Sequence, residues 1–137
     1  MSPCRILVAD DDAKFLRFAA DLLTGAGYDV RAVSEPGKVV EMAEGFGPEL
    51  VILDVSMPGK TGFEVSGDLR SNPATKSVRC MFITAHRSTT HVKEAKESGG
   101  VGYLEKPFRS SSLLWIVKAL LAQKSASDAP EGARTDP

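Results

Sequence analysis

Short apolar runs that stop abruptly at polar residues recur along this chain, each followed by a stretch with helical spacing. Arg5 to Ala9 reads Arg-Ile-Leu-Val-Ala and ends in Asp10-Asp11-Asp12, the pattern of a buried parallel strand reaching a polar edge. From Ala13 to Ala26, Phe15, Leu16, Ala19, Leu22 and Leu23 recur at helical spacing, with Gly25 and Gly27 as the stop. Asp29 to Val33 is the next strand, followed by a helix from Pro36 to Glu44 with Ser34 as its N-cap. Leu50 to Val55, Arg79 to Thr84 and Val101 to Leu104 continue the strands. Gly62 to Arg70, Thr89 to Glu97 and Ser110 to Lys124 continue the helices. Strands that alternate with helices through short connections pair in parallel by right-handed crossovers, with helices on both faces of the sheet. The expected fold is a doubly wound α/β domain.

In such sheets ligands sit outside the carboxyl ends of the strands, and few residues of this chain lie there. The first strand delivers Asp10 and Asp11, the third Asp54, the fourth Thr84, and the fifth Lys106 just before Pro107. Three ionised carboxylates at one edge repel one another unless a cation lies between them. Mg²⁺ is the natural candidate, being a hard ion that takes a few carboxylate and carbonyl oxygens, keeps waters and accepts phosphate oxygens. Lys106 adds positive charge, Thr84 a hydroxyl donor, and the small Ala85 leaves space at the mouth. Taken singly, each of these residues has an ordinary explanation, and Asp12 reads as an acid at a helix N-terminus. Their joint placement suits phosphoryl transfer to a carboxylate, in which cation, lysine and hydroxyl stabilise charge on the equatorial oxygens. Asp10 and Asp11 are neighbours suited to joint chelation. Asp54 stands alone before Val55-Ser56-Met57-Pro58-Gly59, a tight turn expected to expose it, and is the better acceptor.

Composition narrows the alternatives. A chain of 137 residues with 42% hydrophobic and 26% charged residues has the balance of one compact domain. A net charge of −1 offers no basic excess for non-specific nucleic-acid binding. Cys4 and Cys80 are the only cysteines and lack disulfide-framework or metal-ligand spacing, so both read as free thiols. No apolar run reaches the roughly 20 residues of a membrane span, and the start lacks a signal-peptide core, so a cytoplasmic location is expected.

From Arg5 to Lys124 the sequence resembles the receiver domain of two-component response regulators. Ile-Leu-Val-Ala-Asp-Asp-Asp is similar to that family's acidic start, Leu-Asp-Val-Ser-Met-Pro-Gly to its phosphorylation loop, Ile-Thr-Ala to its switch threonine segment and Tyr-Leu-Glu-Lys-Pro-Phe to its lysine segment. The resemblance implies a flavodoxin-like sheet of five parallel strands in the order 2-1-3-4-5 with five helices. It implies that Asp54 takes a phosphoryl group from a histidine kinase or histidine phosphotransfer protein and loses it slowly. The protein would then be no enzyme beyond its own phosphorylation and dephosphorylation. Asp11, Asp54 and the Ser56 backbone carbonyl would hold Mg²⁺, with Asp10 acting through water, while Thr84 and Lys106 hold the phosphoryl oxygens. The Lys106-Pro107 bond would be cis. Thr84 and Tyr103 would form the switch, biasing two packings of the fourth helix, fifth strand and fifth helix, and that face would meet a partner.

Ser56, Ala85 and His86 fall at the pocket rim, where Ser56 and His86 would govern access of water to the acyl phosphate. The last helix carries Leu113, Leu114, Trp115, Ile116, Val117, Leu120 and Leu121, an arc wider than one buried stripe needs. A deep core helix and a partner or phosphorylation-linked dimer surface at Leu114 and Trp115 both account for it. Two rival functions fit less well. A haloacid-dehalogenase-type phosphatase would use Asp10 and Asp12 but leaves Asp54 unexplained, and a flavodoxin-type cofactor binder needs a Ser, Thr and Gly-rich loop where acids stand here. Residues 1–124 form the expected receiver and 125–137, polar and aperiodic, a disordered tail or linker. A stand-alone receiver and a fragment that lost an output domain both fit this tail.

Overall fold

The computed structural model describes residues 3–85, 93, 97 and 100–122. Five strands, β1 (Arg5–Ala9), β2 (Asp29–Val33), β3 (Leu50–Asp54), β4 (Arg79–Thr84) and β5 (Gly102–Glu105), form one sheet in the order β2-β1-β3-β4-β5. All four pairings are parallel. The order agrees with the expected doubly wound sheet. Helices α1 (Ala13–Gly25), α2 (Val39–Phe46) and α3 (Gly62–Arg70) and a C-terminal helix (Ser110–Leu121) accompany it. The expected helix from Thr89 to Glu97 and the tail from Ser125 lie largely or wholly outside the described residues.

Successive strand side chains point to opposite faces, and burial follows that period. Ile6, Val8, Leu50, Ile52, Met81, Ile83 and Leu104 pack with Leu16, Ala19 and Leu23 of α1 and Leu113, Ile116, Val117 and Leu120 of the C-terminal helix. Leu7, Ala9, Val51, Leu53, Cys80, Phe82 and Tyr103 pack on the other face with Val39, Ala43 and Phe46 of α2 and Val65 and Leu69 of α3. β3 is buried at every residue, so it carries Asp54 out of the most constrained part of the sheet. At the edge strand, a Cβ on Gly102 would lie 2.9 Å from Leu120 Cδ1 and 3.1 Å from Met81 Cγ. Even an alanine there would require the Leu120 side chain of the C-terminal helix to shift.

At the start of α1, Asp12 is the cap, as its place at a helix N-terminus suggested, its side chain accepting from the Lys14 N–H at 3.0 Å. Gly27, at φ +101°, closes that helix: its N–H donates to Thr24 O and that of Tyr28 to Leu23 O. The second helix begins as a 3-10 turn at Pro36–Lys38 before α2, and Ser34 is not its cap. The residue before a proline is held extended, and Glu35 at φ −112°, ψ 119° obeys that restriction. Of the apolar arc in the last helix, Leu113, Ile116, Val117 and Leu120 are core. Leu114 packs partly against that core, and Trp115 remains 45% exposed.

Candidate functional site

Asp10 is the residue at which β1 stops, its N–H donating to Val33 O at 3.2 Å as a last rung toward β2. Its carboxylate is 1% exposed and both oxygens are engaged. One accepts from the Asp12 N–H at 2.9 Å and the other from Lys106 Nζ at 2.8 Å. A buried carboxylate is tolerated only when paired and hydrogen-bonded, and both conditions hold here. Asp12 turns instead into its own helix as the cap. Asp11, between them, is exposed.

Asp54 ends β3 and is 7% exposed, so the turn after it does not expose it as its composition suggested. The chain folds back beneath it: Val55 N–H donates to Ile83 O at 2.8 Å, and Gly62 N–H to Val55 O at 3.0 Å. A Cβ at Gly62 would collide with the Asp54 carbonyl oxygen. Only glycine lets the start of α3 approach this closely. That helix is held by a reciprocal capping box between Thr61 and Glu64, and an ion pair from Lys60 to Asp68 ties the loop to it. Gly62→Ala is therefore expected to cost about 1–3 kcal/mol or more and to slow any chemistry at Asp54. A urea-unfolding midpoint equal to wild type would contradict this.

The carboxylates of Asp10, Asp11 and Asp54 each offer an oxygen within 4.8 Å of the others. Lys106 Nζ lies 4.0 Å from Asp54 Oδ1. Burial first, and then the Asp10 charge, push the Asp54 acid up from 3.8 to about 6, with Asp11 adding to the rise; Lys106 and the Ser56 N–H oppose it. An acid held this far above its ordinary range by its neighbours is a frustrated anion, the condition a divalent cation relieves. Hard oxygen donors clustered at a strand edge fit Mg²⁺ by their chemistry.

Thr84 ends β4 next to the Ile83 that pairs in register with Asp54, and is 1% exposed. Its carbonyl accepts the Lys106 N–H at 2.7 Å, which ties the lysine segment to the threonine segment. The Lys106-Pro107 peptide is cis. Tyr103, one residue into β5, is 6% exposed and packs with the Cys80 and Phe82 face. Asp10, Asp11, Asp54, Thr84 and Lys106 are thus gathered at one sheet edge. Ser56 and Ala85 are exposed beside them, and His86 lies outside the described residues.

One group was not anticipated at the site. Phe15, read from the sequence only as one of the apolar residues at helical spacing in α1, places its ring 4.2 Å from Lys106 Nζ. Phe18 and Phe108 pack around it, and these three rings with Ala85, Lys106 and Pro107 line a shallow apolar pocket beside the acids. The signal lay in Phe15 and Phe18 standing one helical turn apart and in Phe108 following the lysine and proline.

Residues 6–118 match the family described as the response regulator receiver domain. The chain belongs to that family. The DNA-binding response regulator MtrA of Mycolicibacterium paratuberculosis is 34% identical over 117 residues, covering 85% of this chain and 51% of that protein. The transcriptional regulatory protein PdtaR of Mycobacterium tuberculosis is 31% identical over 131 residues, covering 95% of this chain and 62% of that protein. The receiver domain therefore spans about half to three fifths of the length of these relatives. Among solved structures, the chemotaxis protein CheY4 of Vibrio cholerae superimposes with a TM-score of 0.82 at 27% identity, covering 86% of this chain and 98% of that one. No described helix is long and apolar enough to cross a membrane.

Proposed function

We propose that this receiver domain accepts a phosphoryl group on Asp54 from a histidine kinase or a histidine phosphotransfer protein, and that the acyl phosphate changes which partner it binds. The observation that carries this reading is the setting of Asp54, a mostly buried carboxylate with Lys106 Nζ at 4.0 Å and two further carboxylates within 4.8 Å. The occupied oxygens of Asp10 and the capping role of Asp12 speak against either being the nucleophile. They also weaken the rival phosphatase reading, which needs that pair.

Asp11, Asp54 and the Ser56 backbone carbonyl would hold Mg²⁺, and Asp10 would act on it through water. When bound, Mg²⁺ would neutralise charge on the carboxylates and on the equatorial phosphoryl oxygens. In the transfer, an Asp54 oxygen bonds to phosphorus as the phosphorus–nitrogen bond to the donor imidazole breaks. Lys106, already 2.8 Å from Asp10, needs only a short swing to reach an oxygen of the group arriving on Asp54. The Thr84 hydroxyl supplies a second donor. Thr84 drawn toward the phosphoryl group would free space against β5, and Tyr103 would respond, biasing the face formed by the fourth helix, β5 and the C-terminal helix. Ser56 beside the acids, and His86 two residues after Thr84 in sequence, would set how fast water removes the group. Activity of the domain would be limited to its own phosphorylation and dephosphorylation, in the cytoplasm. The exposed Trp115 would report partner binding or a phosphorylation-linked dimer at the same face, and an output domain or separate protein would receive the signal. No direct contact of this chain with nucleic acid is needed.

Incubation with acetyl phosphate and Mg²⁺, followed by borohydride reduction and peptide mapping, tests the assignment. An acyl phosphate on Asp54 is reduced to homoserine at position 54. Reduction at Asp10 or Asp11 instead, or no phosphoryl gain, would overturn it.

A further inference from the structure

The ammonium of Lys106 is held from three directions. Asp10 Oδ2 accepts from it at 2.8 Å, Asp54 Oδ1 lies at 4.0 Å, and the Phe15 ring centroid lies at 4.2 Å. A cation over an aromatic face is attracted by the ring quadrupole without a fixed hydrogen-bond direction. The ring is itself braced. Phe108 meets it nearly perpendicular at 6.0 Å and Phe18 tilts against it at 6.1 Å, with Phe18 and Phe108 6.5 Å apart. Phe15 and Phe18 come from one face of α1, whereas Phe108 follows the lysine by two residues. The cluster therefore ties α1 to the segment after β5 at the lysine. Phe18 remains 41% exposed, so the cluster is not simply core.

We propose that Phe15 is a positioning residue for phosphoryl transfer, holding the Lys106 ammonium through its ring face so that the lysine can pass from Asp10 to the arriving phosphoryl group without being released to solvent. An ion pair alone would have to break before a new one formed. The ring attraction persists across that movement, because it acts over the whole face rather than along one bond. The apolar walls of the pocket serve the same end. They keep the ammonium stem dehydrated on one side and leave the acid edge as the direction in which its protons can find acceptors.

This inference rests on phosphoryl acceptance at Asp54, and its test separates the two. Mono-, di- and trifluorophenylalanine placed at position 15 preserve ring size while progressively weakening the negative face. With acetyl phosphate as donor, Asp54 bonds to phosphorus as the phosphorus–oxygen bond to acetate breaks, and the rate is followed by intact mass at saturating Mg²⁺. The rate should fall stepwise with fluorination, by about fivefold at the trifluoro ring, while the Mg²⁺ concentration for half-maximal rate stays constant. Phe15→Leu should be slow and Phe15→Tyr near wild type. In metal-free protein, Lys106 ε-CH₂ protons should resonate upfield through the ring current and return to ordinary positions in Phe15→Leu. Rates flat across the fluorinated series, or Lys106 shifts unchanged in Phe15→Leu, would overturn the proposal. Should Phe15→Leu fail to fold, the fluorinated series decides alone. Wild-type protein that gains no phosphate would refute the phosphoryl-acceptor reading, and the ring-current measurement would still judge the contact.

Discussion

Asp54→Asn protein is expected to gain no phosphate from acetyl phosphate and Mg²⁺, whereas the wild-type chain gains one group per molecule. The substitution is nearly isosteric and replaces the nucleophilic oxygen by an amide, so the loss should be one of chemistry and not of fold. No neighbour can substitute. Asp10 has one oxygen on the Asp12 N–H and the other on Lys106, at 1% exposure, and Asp12 is spent on the Lys14 N–H at the start of α1. Asp11 is the one remaining acid of the cluster, but it is exposed and lacks the burial that shapes the setting of Asp54. Intact-mass spectrometry of both proteins, with circular dichroism to confirm an unchanged fold, makes the comparison. A phosphate that persists in Asp54→Asn would move the acceptor elsewhere and remove the basis of the functional reading.

The same substitution should make metal-free protein more stable at neutral pH. The Asp54 acid is raised from 3.8 to about 6 in the folded chain, by burial before all else. A folded state that holds a proton more tightly than the unfolded chain binds more protons between those two values. Stability of the wild-type protein therefore falls as pH rises from about 4 to about 6, and stays reduced above that window. A shift near two units corresponds to on the order of 2–3 kcal/mol. Asn carries no charge and escapes this penalty, so in EDTA at pH 7.5 Asp54→Asn should melt about 5–10 °C above wild type. Near pH 4 the gap should close, since both proteins are then neutral at position 54. Added Mg²⁺ should also narrow it, because binding to the native state alone stabilises that state. A melting difference independent of pH would show that the carboxylate is not strained by its setting.

These two results probe a site whose parts differ in how far they can be read along the chain. The alternation of apolar runs and helical segments is local, because each strand needs only its own five or six residues to declare its period. Parallel pairing follows from short crossovers, the order β2-β1-β3-β4-β5 was implied by the family resemblance, and the gathering of strand-end residues follows from the parallel sheet. Asp10, Asp11, Asp54, Thr84 and Lys106 were therefore legible in the sequence as strand-end neighbours, as was the cis Lys106-Pro107 bond through family resemblance. Helix starts were less legible. The Ser34 cap failed because Pro36 constrains Glu35 to an extended conformation, a restriction that composition of the segment did not rank above the serine's capping preference.

What the sequence by itself determined is the type of domain and which residues gather at the carboxyl edge of the sheet, since both rest on periodicity and on which residues terminate strands. Only the tertiary structure decided how those residues share their contacts. Lys106 is committed to Asp10 across 96 positions of chain, Asp54 is buried with α3 starting at Gly62 against its backbone, and Phe15, while packed against the core, is also a neighbour of the lysine. The physical reason is common to all three. Electrostatic strain, steric approach and cation–π attraction depend on distances of a few ångströms between segments far apart in sequence, and no local pattern of residues encodes such distances.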